Sequence, residues 1–134
     1  MTFRTLLIVK AVVCLGFGVF LLAAPSVLFG ILGADLGAAG MFTAREYGAA
    51  LMGALLLTWF GKDVQASDAR GAILLYLLVY DAIGVVITIH AAATGVLNVL
   101  GWSIVAVYAF FAVASGYLLT KEKPFRKVQA QGGV

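Results

Sequence analysis

Charge is scarce in this sequence, and so are the residues that build most known sites. Nine Lys and Arg and six Asp and Glu are all the charge that 134 residues carry. The single cysteine, Cys14, rules out an intramolecular disulfide. One Cys with one His cannot assemble a zinc site. One His cannot give a haem bis-histidine ligation. Basic residues do not interleave with aromatics, so nucleic-acid binding is not expected. There is no GxSxG, no HExxH, no P-loop and no carboxylate pair at helical spacing. Glu46 and His90 could form an acid/base pair, but nothing marks a substrate. No catalytic set, metal or cofactor is therefore expected.

What the chain has in abundance is apolar surface. It is 63% hydrophobic, with a mean hydropathy of +1.09. A soluble domain of this length leaves too much surface exposed to hide so many apolar side chains. The fitting solvent is a bilayer. Four stretches approach the 20 or so apolar residues that a membrane helix needs: about 5–24, 41–60, 71–93 and 97–119. Pro25 and Ser26 close the first, and a glycine-rich loop at 30–40 follows, with room for a short interfacial helix before it. The segment 61–70 is the long polar stretch between spans, 94–98 reads as a tight turn, and 120–134 as a basic tail. The expectation is one integral membrane domain over 1–134, an all-α, up-down-up-down transmembrane four-helix bundle. Arg4 ahead of an apolar stretch that ends at Ala23 and Ala24 has the outline of a signal peptide, but Lys10 inside the stretch argues against one.

Basic residues set the orientation. Arg4, Lys10, Lys62, Arg70, Lys121, Lys123, Arg126 and Lys127 fall on one side of a four-span arrangement, which puts both termini in the cytoplasm and Lys10 snorkelling toward that interface. Trp59 and Trp102 fall near opposite faces, as interfacial anchors do. Helices in lipid associate through small residues. Two such stripes stand out: Arg45, Gly48, Ala49, Met52 and Gly53 in the second span, and Trp102, Ala106, Ala109, Val113 and Gly116 in the fourth. Gly16 and Gly18 do the same in the first. These stripes suit packing within one bundle, or a homodimer.

Asp81 lies near the middle of the third span, eleven residues from Arg70 and twelve from Ala93. An acidic side chain at the bilayer centre costs about 2.5 to 3.5 kcal/mol on insertion scales, so it has to face the bundle interior and find a partner. Arg45 is the expected partner, reaching toward the midplane on its long stem, with Glu46 beside it. His90 lies near the far end of the third span, out of phase with Asp81. Arg45, Glu46, Asp81 and His90 are thus the candidates for a ligand or ion site, at two levels. Cys14 reads as a small apolar filler. The tyrosines, Tyr47, Tyr76, Tyr80, Tyr108 and Tyr117, need hydroxyl partners wherever they are buried.

The runs "REYGAALMGALLLTW" at 45–59 and "NVLGWSIVAVYAFFAVASGYLL" at 98–119 resemble the small bacterial four-span membrane proteins grouped as DoxX-like or as domains of unknown function. That resemblance implies a multi-pass protein of the inner (plasma) membrane and, through DoxX-type subunits of membrane redox complexes, contact with a quinone. The residues themselves supply no cofactor ligand. They favour a non-enzymatic accessory subunit, or a binder of a small apolar or lipid-like molecule at the intramembrane polar cluster. Its partners would be the bilayer and a second copy or another membrane subunit. The alternatives are a small dimeric transporter or channel using Asp81, and a redox subunit.

Overall fold

The computed structural model describes residues 1–125. The basic residues Arg126 and Lys127 of the expected tail lie outside them. The described residues are all-helical, with five helices: α1 (Phe3–Ala23), α2 (Pro25–Ile31), α3 (Ala38–Gly61), α4 (Asp68–Ala93) and α5 (Gly101–Glu122). Three of these, α1, α4 and α5, are long and apolar enough to cross a membrane. At 24 residues α3 has the length, but Arg45, Glu46 and its four glycines dilute its apolar character.

Local chemistry sets the helix ends. The Thr2 hydroxyl accepts from the Thr5 amide at 3.2 Å and caps α1. Pro25, which has no amide hydrogen to satisfy, opens α2 at its first position. Ser67 caps α4, and Asp68 in the first turn complements the helix dipole. The short helix anticipated before the glycine-rich loop is α2.

The helices pair as two antiparallel hairpins, α1 with α3 and α4 with α5, and contacts between the hairpins are sparse. In the first hairpin the backbones approach where Gly18 meets Gly48. A Cβ on Gly48 would lie 3.1 Å from the Gly18 carbonyl oxygen and 3.0 Å from Leu22, so both positions suit only the smallest residue. The face of α3 turned to α1 runs through Ala44, Gly48, Leu51 and Ala54. Of the expected α3 stripe, only Gly48 and Met52 take part in this contact. Arg45, Ala49 and Gly53 are exposed. In α5 the expected stripe likewise turns outward at Trp102, Ala106 and Val113. The packed face carries Phe111, Ser115 and Leu118 instead. Spacing alone identifies residues that share a face, but not which face meets a neighbour.

The two hairpins are joined at both ends. At the end where Arg4, Lys62, Arg70 and Lys121 gather, here called the basic end, Phe3, Leu6 and Leu7 of α1 interlock with Ile73, Leu74 and Leu77 of α4 and with Phe111 and Leu118 of α5. Arg70 closes this end with Glu122 at 2.5 Å, its guanidinium lying 4.1 Å from the centre of the Phe3 ring. Arg4 pairs with Asp63 at 3.2 Å. At the far end Asn98 ties the loops together. Its amide donates to the Leu32 carbonyl at 2.7 Å and its side chain to the Ile31 carbonyl at 2.9 Å. Gly33 lies against Asn98 with φ +80°, where a side chain would be both strained and crowded.

Candidate functional site

Between these two clamps the hairpins stand apart and enclose a cavity of about 640 Å³. That volume is within the ~300 to 1,000 Å³ of typical ligand pockets. Its walls come from all five helices and are almost wholly apolar, with Phe17, Phe29, Ile83, Ile87, Ile104 and Val107 among them. Ile83 and Ile87 line it while being 54% and 63% exposed, so the cavity reaches the molecular surface along α4. There it borders α3, with which α4 makes few contacts.

Two polar links lie at the base of the cavity. The first is a buried ion pair. Lys10 of α1 donates to Oδ1 of Asp81, and the two residues are 3% and 0% exposed. This corrects two expectations at once. Asp81 pairs with Lys10, not Arg45, and Lys10 does not reach an interface. Packing levels explain the first point. Leu7 and Ile73 meet across Gly61, so Lys10 is three residues and Asp81 eight residues above a common level. Five residues of helix rise span about 7.5 Å, which a lysine stem nearly covers by pointing away from the basic end. The Lys10 ammonium also lies 4.3 Å from the centre of the Phe111 ring and 5.1 Å from that of Tyr80, geometry that favours a cation. Asp81 Oδ2 is buried with no hydrogen-bond partner among the described residues.

Arg45 misses Asp81 through both height and angle: from the level where Leu7, Ile73 and Gly61 meet, Arg45 is sixteen residues up and Asp81 eight, about 12 Å apart along the helices. Ala44 and Gly48 point inward, and Arg45 is about 100° round the helix from Ala44. Arg45 and Glu46 are exposed, and among the described residues neither side chain makes an ion pair or hydrogen bond. His90 is exposed as well, out of phase with buried Asp81. Of the four candidate residues Arg45, Glu46, Asp81 and His90, the fold brings only Asp81 to the base of the cavity. Glu46 and His90 do not meet as a pair.

The second polar link is a tyrosine cluster. The Tyr47 hydroxyl lies 2.5 Å from those of both Tyr80 and Tyr108, which joins α3, α4 and α5 at one point. Gly84 is what lets Tyr108 lie against α4, because a Cβ there would sit 2.6 Å from the ring. The rings of Tyr80 and Tyr108 are 6.2 Å apart and tilted by 60°. All three tyrosines line the cavity, as do Lys10, Cys14 and Thr88. Sequence reading identified that these hydroxyls need partners. It could not group them, because the three lie on different helices with 33 and 61 residues between the bonded positions. Cys14 packs among apolar neighbours in the α1–α3 core, as a small filler does.

No three of His, Cys, Asp and Glu come together in a metal-holding group among the described residues. Compared with protein-family models, curated proteins and solved structures, the chain matches none.

Proposed function

We propose that this chain is a multi-pass membrane protein that holds a lipid-like apolar molecule in the cavity between its two hairpins. In this reading α1, α3, α4 and α5 all cross the bilayer, up-down-up-down, and the basic end faces the cytoplasm. The length of α3 and its close pairing with α1 support a fourth crossing. The gathering of Arg4, Lys62, Arg70 and Lys121 at one end supports the orientation. The observation that carries the binding role is the cavity itself: about 640 Å³, apolar-walled, reaching the surface at Ile83 and Ile87, with few polar groups in its lining. A void of this size forfeits packing contacts unless something fills it. A plasma-membrane location, an accessory role beside another membrane subunit and a DoxX-like character fit this reading and belong to the proposal.

The test is native mass spectrometry of the full chain after gentle purification, paired with Ile104→Trp to fill the cavity. The reading expects a retained apolar species in the parent and its loss in the variant. Absence of any bound apolar species from the parent, or undiminished retention in a folded Ile104→Trp protein, would sink it. A second reading, a small transporter working through Asp81, is favoured by one observation, the buried and unpartnered Oδ2. Its signature is pH-dependent flux in vesicles that Asp81→Asn abolishes.

A further inference from the structure

We infer that the molecule held in the cavity is an uncharged, single-chain lipid whose head is a hydrogen-bond acceptor oxygen, and that the tyrosine cluster is what reads the head. This rests on the cavity-binding reading above and goes on to name the ligand's chemistry. The first support is a proton count. Three hydroxyls carry three protons. The two bonds from Tyr47 to Tyr80 and Tyr108 consume two of them, whichever way each bond runs. One proton is left to donate, on one of three tyrosines that all line the cavity. Thr88 lines the same cavity, on the face of α4 that carries Asp81, and its hydroxyl makes no hydrogen bond among the described residues. The lining of the cavity therefore presents donors to whatever enters.

Charge is the second support. The lining contains no carboxylate and no histidine, and Asp81 lies beneath it with its charge already met by Lys10, so a cationic head would find no free counter-charge. Its one cation, Lys10, is already neutralised by Asp81. An anionic head reaching Lys10 would crowd two carboxylates onto one ammonium in an apolar setting, where an uncompensated charge is costly. A carbonyl, ether or alcohol oxygen meets neither obstacle. Size supplies the third support. A cavity of about 640 Å³ is that of a drug-sized ligand, which suits one chain and not a two-chain phospholipid. The surface opening at Ile83 and Ile87 gives such a chain a way in from the bilayer.

The experiment uses the full chain in lipid nanodiscs and four photoreactive probes built on one saturated chain. One ends in a methyl ketone, one in a carboxylate, one in a trimethylammonium group, and one is a plain hydrocarbon. Crosslinks are mapped by peptide mass spectrometry. The ketone probe should label cavity-lining peptides about two- to tenfold more than the hydrocarbon, the worth of one net hydrogen bond. The charged probes should label the cavity least. Replacing all three tyrosines (Tyr47→Phe, Tyr80→Phe, Tyr108→Phe) should bring the ketone down to the hydrocarbon's level while leaving the hydrocarbon unchanged, which also reports an intact cavity. If the triple variant fails to fold, the parent's ketone-to-hydrocarbon ratio decides alone. Equal labelling by ketone and hydrocarbon, or preference for a charged probe, overturns the assignment of the head and leaves the cavity reading standing. No cavity labelling by any probe overturns both.

Discussion

The same four long helices run through both ends of this molecule, yet the two halves are built differently. Toward the basic end, Phe3, Leu6, Leu7, Leu74, Leu77 and Phe111 are each no more than 1% exposed and fill the space between the hairpins. Toward the far end, α2 and the Asn98 clamp hold the hairpins at a distance, and the space between them is a cavity. Within each hairpin, glycine brings backbones or rings together at Gly18, Gly48 and Gly84. Between the hairpins the interlocked, fully buried apolar side chains stop at the level of Lys10 and Asp81, and those beyond it line the cavity. One half provides stability and the other leaves room. The ion pair and the tyrosine cluster form the floor where they meet.

The most disruptive way to probe that floor is to remove one member of the ion pair. Asp81→Leu should lower stability by about 3 to 5 kcal/mol, because it leaves the Lys10 ammonium buried and uncompensated. Adding Lys10→Met should recover much of the loss, since an apolar pair of similar volume replaces a buried ion pair at little cost. Thermal unfolding of both single variants and the double variant in detergent reads the coupling, expected from these losses at about 3 kcal/mol or more. Coupling near zero would remove the floor from the comparison.

A matched truncation on each side of the floor sharpens it. Leu74→Ala, in the packed half, should cost about 2 to 5 kcal/mol, as truncations in a full core do. Leu28→Ala, at the cavity wall, should cost less than half as much when the cavity is empty, because fewer atoms surround the side chain. Equal losses in denaturant unfolding would mean that the two halves are packed alike.

The smallest effect is expected at Arg45. Arg45→Ala should change stability by no more than about 0.5 kcal/mol, as surface substitutions do, and Lys10→Ala by several times that. A destabilisation at Arg45 matching that at Lys10, in the same unfolding assay, would restore Arg45 as a structural partner.

Much of the architecture can be read before any coordinates. The apolar runs, Pro25 and Ser26, and the glycine-rich loop mark out the helices, because a hydrophobic run and a turn signal act over a few neighbouring residues. That Asp81 must turn inward follows from the cost of an unpaired carboxylate in apolar surroundings. The identity of its partner does not follow, since packing alone sets the relative heights of α1, α3 and α4 and the rotation of α3, which bring Lys10 within reach of Asp81 and leave Arg45 higher and turned away. His90 and Glu46 had the right chemistry and the wrong azimuth.

The composition and periodicity of the chain determined by themselves that it is helical and apolar enough to suit a bilayer. Tertiary structure alone decided that Lys10 meets Asp81 across 71 residues of sequence, that three tyrosines from three helices share their hydroxyl protons, and that the hairpins part to leave a cavity. The physical reason is range. Helix formation, capping and the cost of burying a charge are local quantities that each residue carries with it. A polar partner or a void depends on the rotation and spacing of helices far apart in the chain, and small residues such as Gly18, Gly48 and Gly84 set those only when the helices have met.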